Sequence, residues 1–313
     1  MRKERKQKPL DFIGIGAQKS GTSWLFYQLS QLEEFNLPPF KEFHYFDRSA
    51  NYLSPNFLAE TRFKDRIKQY KYFPNAIREI YSRTKHFTGW KSASFYIRWY
   101  FADYSDQWYL SLFKELEGYT GEITPSYSIL NEEDIQRIYQ LVPNVKLVLM
   151  LRNPVDRAWS QFRHNVKRKR LDKSSAEHDI RTFLQSDAQV LRSNYLRTID
   201  NFSKVFPKQQ LLIGFYDAIT DAPNQLLSDI ASFITDKKVV VSLKSSSLER
   251  EVNKSPLIDC PESIKHFLTE KYYEQIQQLS TRYGSYCSKW LRDLYEEETQ
   301  YKNIRLRPTI HLP

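Results

Sequence analysis

Apolar residues recur along this chain in two rhythms. Phe12, Ile13 and Ile15 make a short apolar run over residues 11–16, which predicts a buried strand. Trp24, Leu25, Leu29 and Leu32 then repeat at three- and four-residue spacing, which predicts a helix over 22–32. Val145–Leu151 is the clearest buried strand, seven residues that are nearly all apolar and partly β-branched. Asn153-Pro154 opens the next helix, since proline is tolerated in a first turn, and Trp159, Phe162 and Val166 lie along it. Further helices are expected at 132–141, 193–206, 221–234, 262–283 and 287–297, with a strand at Leu211–Tyr216. Gly121–Tyr127 reads as a strand end running into a loop. Residues 50–118 lack a clean period and read as short helices forming an aromatic-rich insertion over one face.

Composition narrows this picture. Apolar content of 41% with 15% aromatics excludes a disordered chain, and 313 residues suffice for a large core. The aromatic share of 21 Tyr, 20 Phe and 6 Trp suits either an acceptor pocket shaped by stacking faces or a tyrosine-rich core. Of the net charge of +10, the tail Arg2–Lys8 supplies +4, as five cations and one acid. Residues 1–9 therefore read as a basic mobile tail, and the remaining surplus fits an anionic cofactor or substrate. No nucleic-acid-binding motif is present, so nucleic acid is not an expected partner. Cys260, Cys287 and six scattered histidines show no metal-ligand spacing, so no metal is expected. No stretch of 18 apolar residues occurs and no signal-type apolar region follows the basic N-terminus, which predicts a cytoplasmic chain without stable membrane insertion.

The chemistry concentrates between Gly16 and Trp24. Gly16-Ala-Gln-Lys-Ser-Gly21 joins the first strand to the first helix, with Thr22 or Ser23 near the helix N-terminus. Backbone N–H groups and the positive end of the helix dipole converge there, where an anion binds. The nucleotide-binding P-loop places its lysine directly after the second glycine. Here Lys19 precedes Gly21 and lies inside the loop, which argues for chemistry other than ATP hydrolysis. Strands alternating with helices behind such a loop predict an α/β fold: a P-loop-like central parallel sheet flanked by helices on both faces. With no repeat and no low-complexity linker, residues 1–313 read as a single domain.

Arg152 lies just past the 145–151 strand, and Ser160 follows eight residues on, inside the next helix. Together, GAQKSGTSWL and LVLMLRNPVDRAWSQFRH resemble the sulfotransferase family that uses 3′-phosphoadenosine-5′-phosphosulfate (PAPS) and releases PAP. KEFHYFD (41–47) and GEITPSY (121–127) resemble segments of the branch containing heparan-type carbohydrate sulfotransferases and many bacterial members. The resemblance implies that Lys19, Ser20, Gly21, Thr22, Ser23 and Trp24 hold the 5′-phosphosulfate, and that Arg152 and Ser160 hold the 3′-phosphate. The residues suit this, because a guanidinium grips phosphate bidentately and a hydroxyl adds a hydrogen bond. Taken singly, Arg152 reads as a surface ion pair and Ser160 as an ordinary helical residue; their spacing beside the first loop favours the phosphate site instead.

The resemblance further implies transfer of a sulfuryl group to a hydroxyl, with an amine less favoured, on a carbohydrate or other small-molecule acceptor. Positioning and charge stabilisation should dominate, with Lys19 neutralising the leaving phosphate and Glu42 as general base. His44 is the rival base, since alternation in an extended segment would place it on the face of Glu42. A third possibility is neither, with Glu42 paired to Lys41 or Lys19. Ile123, preceded by Glu122, stands where carbohydrate sulfotransferases often carry a lysine, which favours a less anionic acceptor. The family's Lys-Gly phosphate loop is also missing; Asn253, Lys254 and Ser255 are candidates to close over the 3′-phosphate, or form a plain surface loop. Two rival classes remain. A P-loop kinase or NTPase would end a buried strand with a magnesium-binding carboxylate, whereas Leu151-Arg152 stands here. A non-catalytic nucleic-acid- or anion-binding protein would use the basic tail and Lys167–Arg170, a run otherwise read as a solvated loop.

Overall fold

The structure, a computed structural model, describes residues 9–54, 58–68, 72–84, 90–243, 258–295 and 304–312. Residues 1–8 of the basic tail and the candidates Asn253, Lys254 and Ser255 lie outside the described residues.

β1 (Phe12–Gly16) passes through the glycine loop into α1 (Thr22–Ser30). The insertion holds α2 (Phe63–Arg66), α3 (Tyr72–Thr84), α4 (Trp90–Phe101) and α5 (Asp106–Ser111). β2 (Gly121–Ile123) leads through a 3-10 turn (Pro125–Ile129) to α6 (Glu132–Leu141) and β3 (Lys146–Leu151). Next come α7 (Pro154–Lys167), α8 (Glu177–Gln185), α9 (Asp187–Ser193), α10 (Tyr195–Val205) and β4 (Leu211–Phe215). α11 (Ala218–Asp221), α12 (Pro223–Thr235), α13 (Glu262–Tyr283), α14 (Ser285–Tyr295) and β5 (Thr309–His311) complete the described elements.

The sheet runs β2-β1-β3-β4-β5. Its first four strands are parallel and β5 is antiparallel to β4. β1 and β4 are buried along their whole length, and β3 everywhere but Lys146, as expected of strands covered on both faces. The expected mixed α/β architecture is therefore present, with an antiparallel edge added. β5 is three residues long, too short to carry a pattern of its own. Helices α8 and α9 were also not legible as periods. In a parallel sheet all carboxyl ends share one edge, so the loops after β1, β2 and β3 meet there.

Aromatic residues of the insertion divide by burial, with Trp99 and Tyr100 only partly covered. Tyr96, Tyr104, Trp108 and Tyr109 are buried, so these rings are core. Phe43 meets Phe95, Trp99, Tyr109 and Phe113 at ring-centroid distances of 5.0–6.4 Å. The insertion thereby grips the residue beside Glu42.

Candidate active site

The loop after β1 places Lys19 where a cation is costly. Its backbone takes a left-handed conformation (φ 68°), as do Glu42 (φ 68°) and His44 (φ 55°). Such conformations cost about 1–3 kcal/mol each and need support from the surrounding structure. Burial, and then the charges of Arg152, Arg163, Lys167 and Lys41, lower the Lys19 ammonium to about 8. Gly21 (φ 81°) precedes α1, and a Cβ there would meet Ile219 Cδ1 at 2.4 Å and Tyr216 Cδ2 at 3.0 Å. Only glycine fits both the backbone and the space.

The N-terminus of α1 has no side-chain cap and no acidic residue in its first turn. α6 shows the opposite treatment, with Asn131 capping Asp134 N–H and Glu132, Glu133 and Asp134 in the first turn. Arg152 donates from Nη1 to the Lys19 carbonyl at 3.3 Å, and its guanidinium stacks 4.2 Å from the Tyr216 ring centroid. The structure thus brings the first loop and the β3–α7 junction together. Ser20, Thr22, Trp24 and Ser160 are buried; the Trp24 indole N–H and Arg152 Nε lack protein partners among the described residues. Trp159, next to Ser160, donates its indole N–H to the Ile258 carbonyl at 2.9 Å.

Across from Lys19, residues 42–45 are not the extended segment that alternation assumed. They follow a bent path because their amides are claimed by the 121–127 segment. Glu42 N–H bonds the Ile123 carbonyl at 3.0 Å, Phe43 N–H bonds Thr124 Oγ1 at 2.9 Å and Tyr45 N–H bonds the Tyr127 hydroxyl at 3.0 Å. Thr124 and Tyr127 in turn donate to buried Glu122, joined by Tyr109. Burial raises the Glu122 carboxyl above its ordinary range, against the lowering effect of these hydroxyls. Glu122 is thus the anchor of the segment. Ile123 is buried and packs over Gly14, where a Cβ would come within 2.8 Å of it.

Glu42 and His44 still meet, by bending rather than alternation. His44 Nε2 lies 3.9 Å from Glu42 Oε2, and His44 Nδ1 lies 2.9 Å from Asp47 Oδ2. The Ser126 hydroxyl donates to the same Asp47 oxygen. Burial opposes charge on His44, but hydrogen bonds to Asp47 and Glu42 prevail and raise it to about 9. Desolvation would raise Glu42, yet its hydrogen bond to His44 and the adjacent Lys41 charge lower it to about 2. Glu42 also contacts Lys41 directly, as the ion-pair reading allowed.

Sequence reasoning missed Asp47, Ser126, Arg163, His164 and Lys167. Lys167 ends α7 and acts on Lys19, so the basic run is not wholly a solvated loop. Burial, then the charges of Lys19, Arg168, Arg170 and Lys167, lower His164 to about 4. The spacing 160, 163, 164, 167 on one helix was the available signal. A cavity of about 570 Å³ opens elsewhere, between Tyr52, Asn131, Asp187 and Arg197, and none of the sequence-predicted site residues line it.

A parallel sheet whose carboxyl edge holds an uncapped helix N-terminus, an internal loop lysine and a second arginine-bearing junction is a P-loop-like arrangement. The chain belongs to the sulfotransferase family, whose profile, described as "Sulfotransferase family", matches residues 11–235. It is similar to membrane-associated sulfotransferase kil1 of Dictyostelium discoideum, 26% identical over 201 residues, covering 64% of this chain and 32% of that protein. It is also similar to heparan sulfate glucosamine 3-O-sulfotransferase 6 of Mus musculus, 29% identical over 139 residues, covering 42% of this chain and 40% of that protein. The matches thus span less than half the length of these relatives. The crystal structure of a sulfotransferase from Alicyclobacillus acidocaldarius shares the fold, with a TM-score of 0.58 at 20% identity over 90% of this chain and 98% of that one.

Proposed function

We propose that this chain is a sulfotransferase that moves a sulfuryl group from PAPS to a hydroxyl of a carbohydrate or other small molecule and releases PAP. The observation that carries this reading is the cluster of Lys19, Arg152, Arg163, Lys167 and Lys41 beside an uncapped helix N-terminus. An anion bound beside Lys19 would offset the repulsion that lowers its ammonium. The buried donors left over at Trp24 and Arg152 fit the same group. In this reading Lys19, Ser20, Gly21, Thr22, Ser23 and Trp24 hold the 5′ side, while Arg152 and Ser160 hold the 3′-phosphate. PAPS supplies the activated sulfuryl group, and no metal is required of the protein.

Glu42 is the proposed base. It is ionised at neutral pH, its side chain is partly exposed, and it is linked to the loop cations through Lys41. His44, raised to about 9, is protonated at neutral pH and better placed to orient Glu42 than to take a proton. Lys19 stabilises charge on the leaving phosphate oxygen. Arg163 and Lys167 favour an anionic group on the acceptor or donor, and the contrary inference from Ile123 weakens because that side chain is buried. The cytoplasmic location expected from the sequence is retained as part of this proposal; among the described residues no helix is long and apolar enough to cross a membrane.

Thermal melting with PAP or ATP tests the donor. PAP at a hundredfold excess over its Kd should stabilise the fold by about 2.7 kcal/mol. Stronger stabilisation by ATP would favour a kinase or NTPase and sink the reading.

A further inference from the structure

Between Arg62 and Arg98 the sequence holds ten lysines and arginines against two acids, Asp65 and Glu79. That surplus of eight compares with +10 for the whole chain. The same stretch contains half of the large hydrophobic side chains left exposed among the described residues: Ile67 at 45%, Phe73 at 50%, Ile77 at 47%, Tyr81 at 67% and Ile97 at 50%. Phe73, Ile77 and Tyr81 recur at every fourth residue of α3 and so share one helix face. The Phe73 ring lies 6.0 Å from Phe101 of α4, which Phe63 of α2 also meets at 5.6 Å. Ile97 sits one turn before Phe101, so the apolar stripes of α3 and α4 adjoin. Lys64 on α2, Arg62 and Lys68 just beyond its two ends, and Arg78 on α3 are exposed, whereas Arg66 is buried and Arg98 on α4 pairs with Glu115. Contiguous apolar surface of this kind, rimmed by charge, marks an interaction site.

We propose that the α2–α4 face docks on an anionic lipid surface. Its isoleucines and aromatic rings enter the boundary between headgroups and acyl chains, while its cations meet the lipid phosphates and carboxylates. Interfacial helices combine an apolar face with lysine and arginine in this way, and juxtaposed cations select anionic lipid. The aliphatic side chains decide against a polynucleotide, which rewards cations and stacking rings but gains nothing from Ile67, Ile77 and Ile97. They also decide against an attraction of charge alone. The docking face uses none of the residues assigned to the transfer chemistry and stands whether or not that chemistry does.

Sedimentation of the full-length chain with phosphatidylserine-rich vesicles, and with phosphatidylcholine alone, tests the proposal. Partition onto the anionic vesicles should exceed that onto neutral ones by about tenfold or more and weaken with salt. The paired change Phe73→Ser and Ile77→Ser should lower it about tenfold, with the melting temperature unchanged. If that pair unfolds, Ile97→Ser reads the same surface from the neighbouring helix. Equal partition onto both vesicles overturns the proposal. So does full binding by the apolar variants, which would assign the effect to charge alone. Displacement of the vesicles by single-stranded RNA, or self-association abolished by the same changes without vesicle binding, would assign the face to another partner and equally overturn it.

Discussion

The two walls of the candidate site handle charge in opposite ways. Around Lys19, burial and the charges of Arg152, Arg163, Lys167 and Lys41 together lower the ammonium to about 8. Around His44 the charges alternate: Lys41, Glu42, His44 and Asp47 follow one another in contact, and His44 is raised to about 9. The first wall concentrates positive charge around one buried ammonium, whereas the second is complete within the protein. A wall of the first kind binds, and a wall of the second kind holds a reactive group in place.

The largest test of this contrast separates the walls by function. Glu42→Gln should lower turnover by about 10²–10⁴ while leaving PAP affinity unchanged. Arg152→Ala should instead weaken PAP binding about tenfold to a hundredfold, as expected for a lost charged hydrogen bond. Single-turnover transfer and calorimetric PAP titration on both variants check the split. Equal loss of PAP affinity in the two would erase the distinction.

The cationic wall also has a pH signature. Because the Lys19 value lies near 8 in the free protein, the ammonium loses its proton as pH rises through 8, and PAP affinity should decline above that point. A bound dianion restores the charged form, so binding at pH 8 should take up about half a proton. Calorimetry in buffers of different ionisation enthalpy measures this, and zero uptake would detach Lys19 from the anion site.

The smallest effect belongs to the complete wall. His44 is raised from 6.5 to about 9, so its stabilisation is fully present below about pH 6.5 and is lost as pH rises through 9. Asp47→Asn should therefore destabilise by about 1–3 kcal/mol at pH 6, and by less at pH 9.5. Urea denaturation at both values reads it; a penalty independent of pH would mean that Asp47 does not support the charge on His44.

Much of this was legible along the chain. β1, β3 and β4 are continuous apolar runs, and buried parallel strands require such runs. Lys19 inside its glycine loop, and Arg152 eight residues before Ser160, are local spacings that survive folding unchanged. β5 escaped notice because three residues carry no period. Glu42 and His44 were paired for the wrong reason, since their proximity comes from a backbone bent by Ile123, Thr124 and Tyr127, about eighty residues away in sequence. Arg163 and Lys167 were hidden because a basic helix end reads as solvated until its neighbours are known.

The sequence by itself determined the strand–loop–helix junction that carries Lys19, the second arginine-bearing junction and the alternation of strands with helices, because each depends on residues within one or two turns of one another. Only the tertiary structure decided that Lys19 lies among four other cations, that Glu122 anchors the segment of Glu42, and that Asp47 holds His44 charged. Those are properties of burial and of charge at a distance. They come into being only when separate segments share one low-dielectric space.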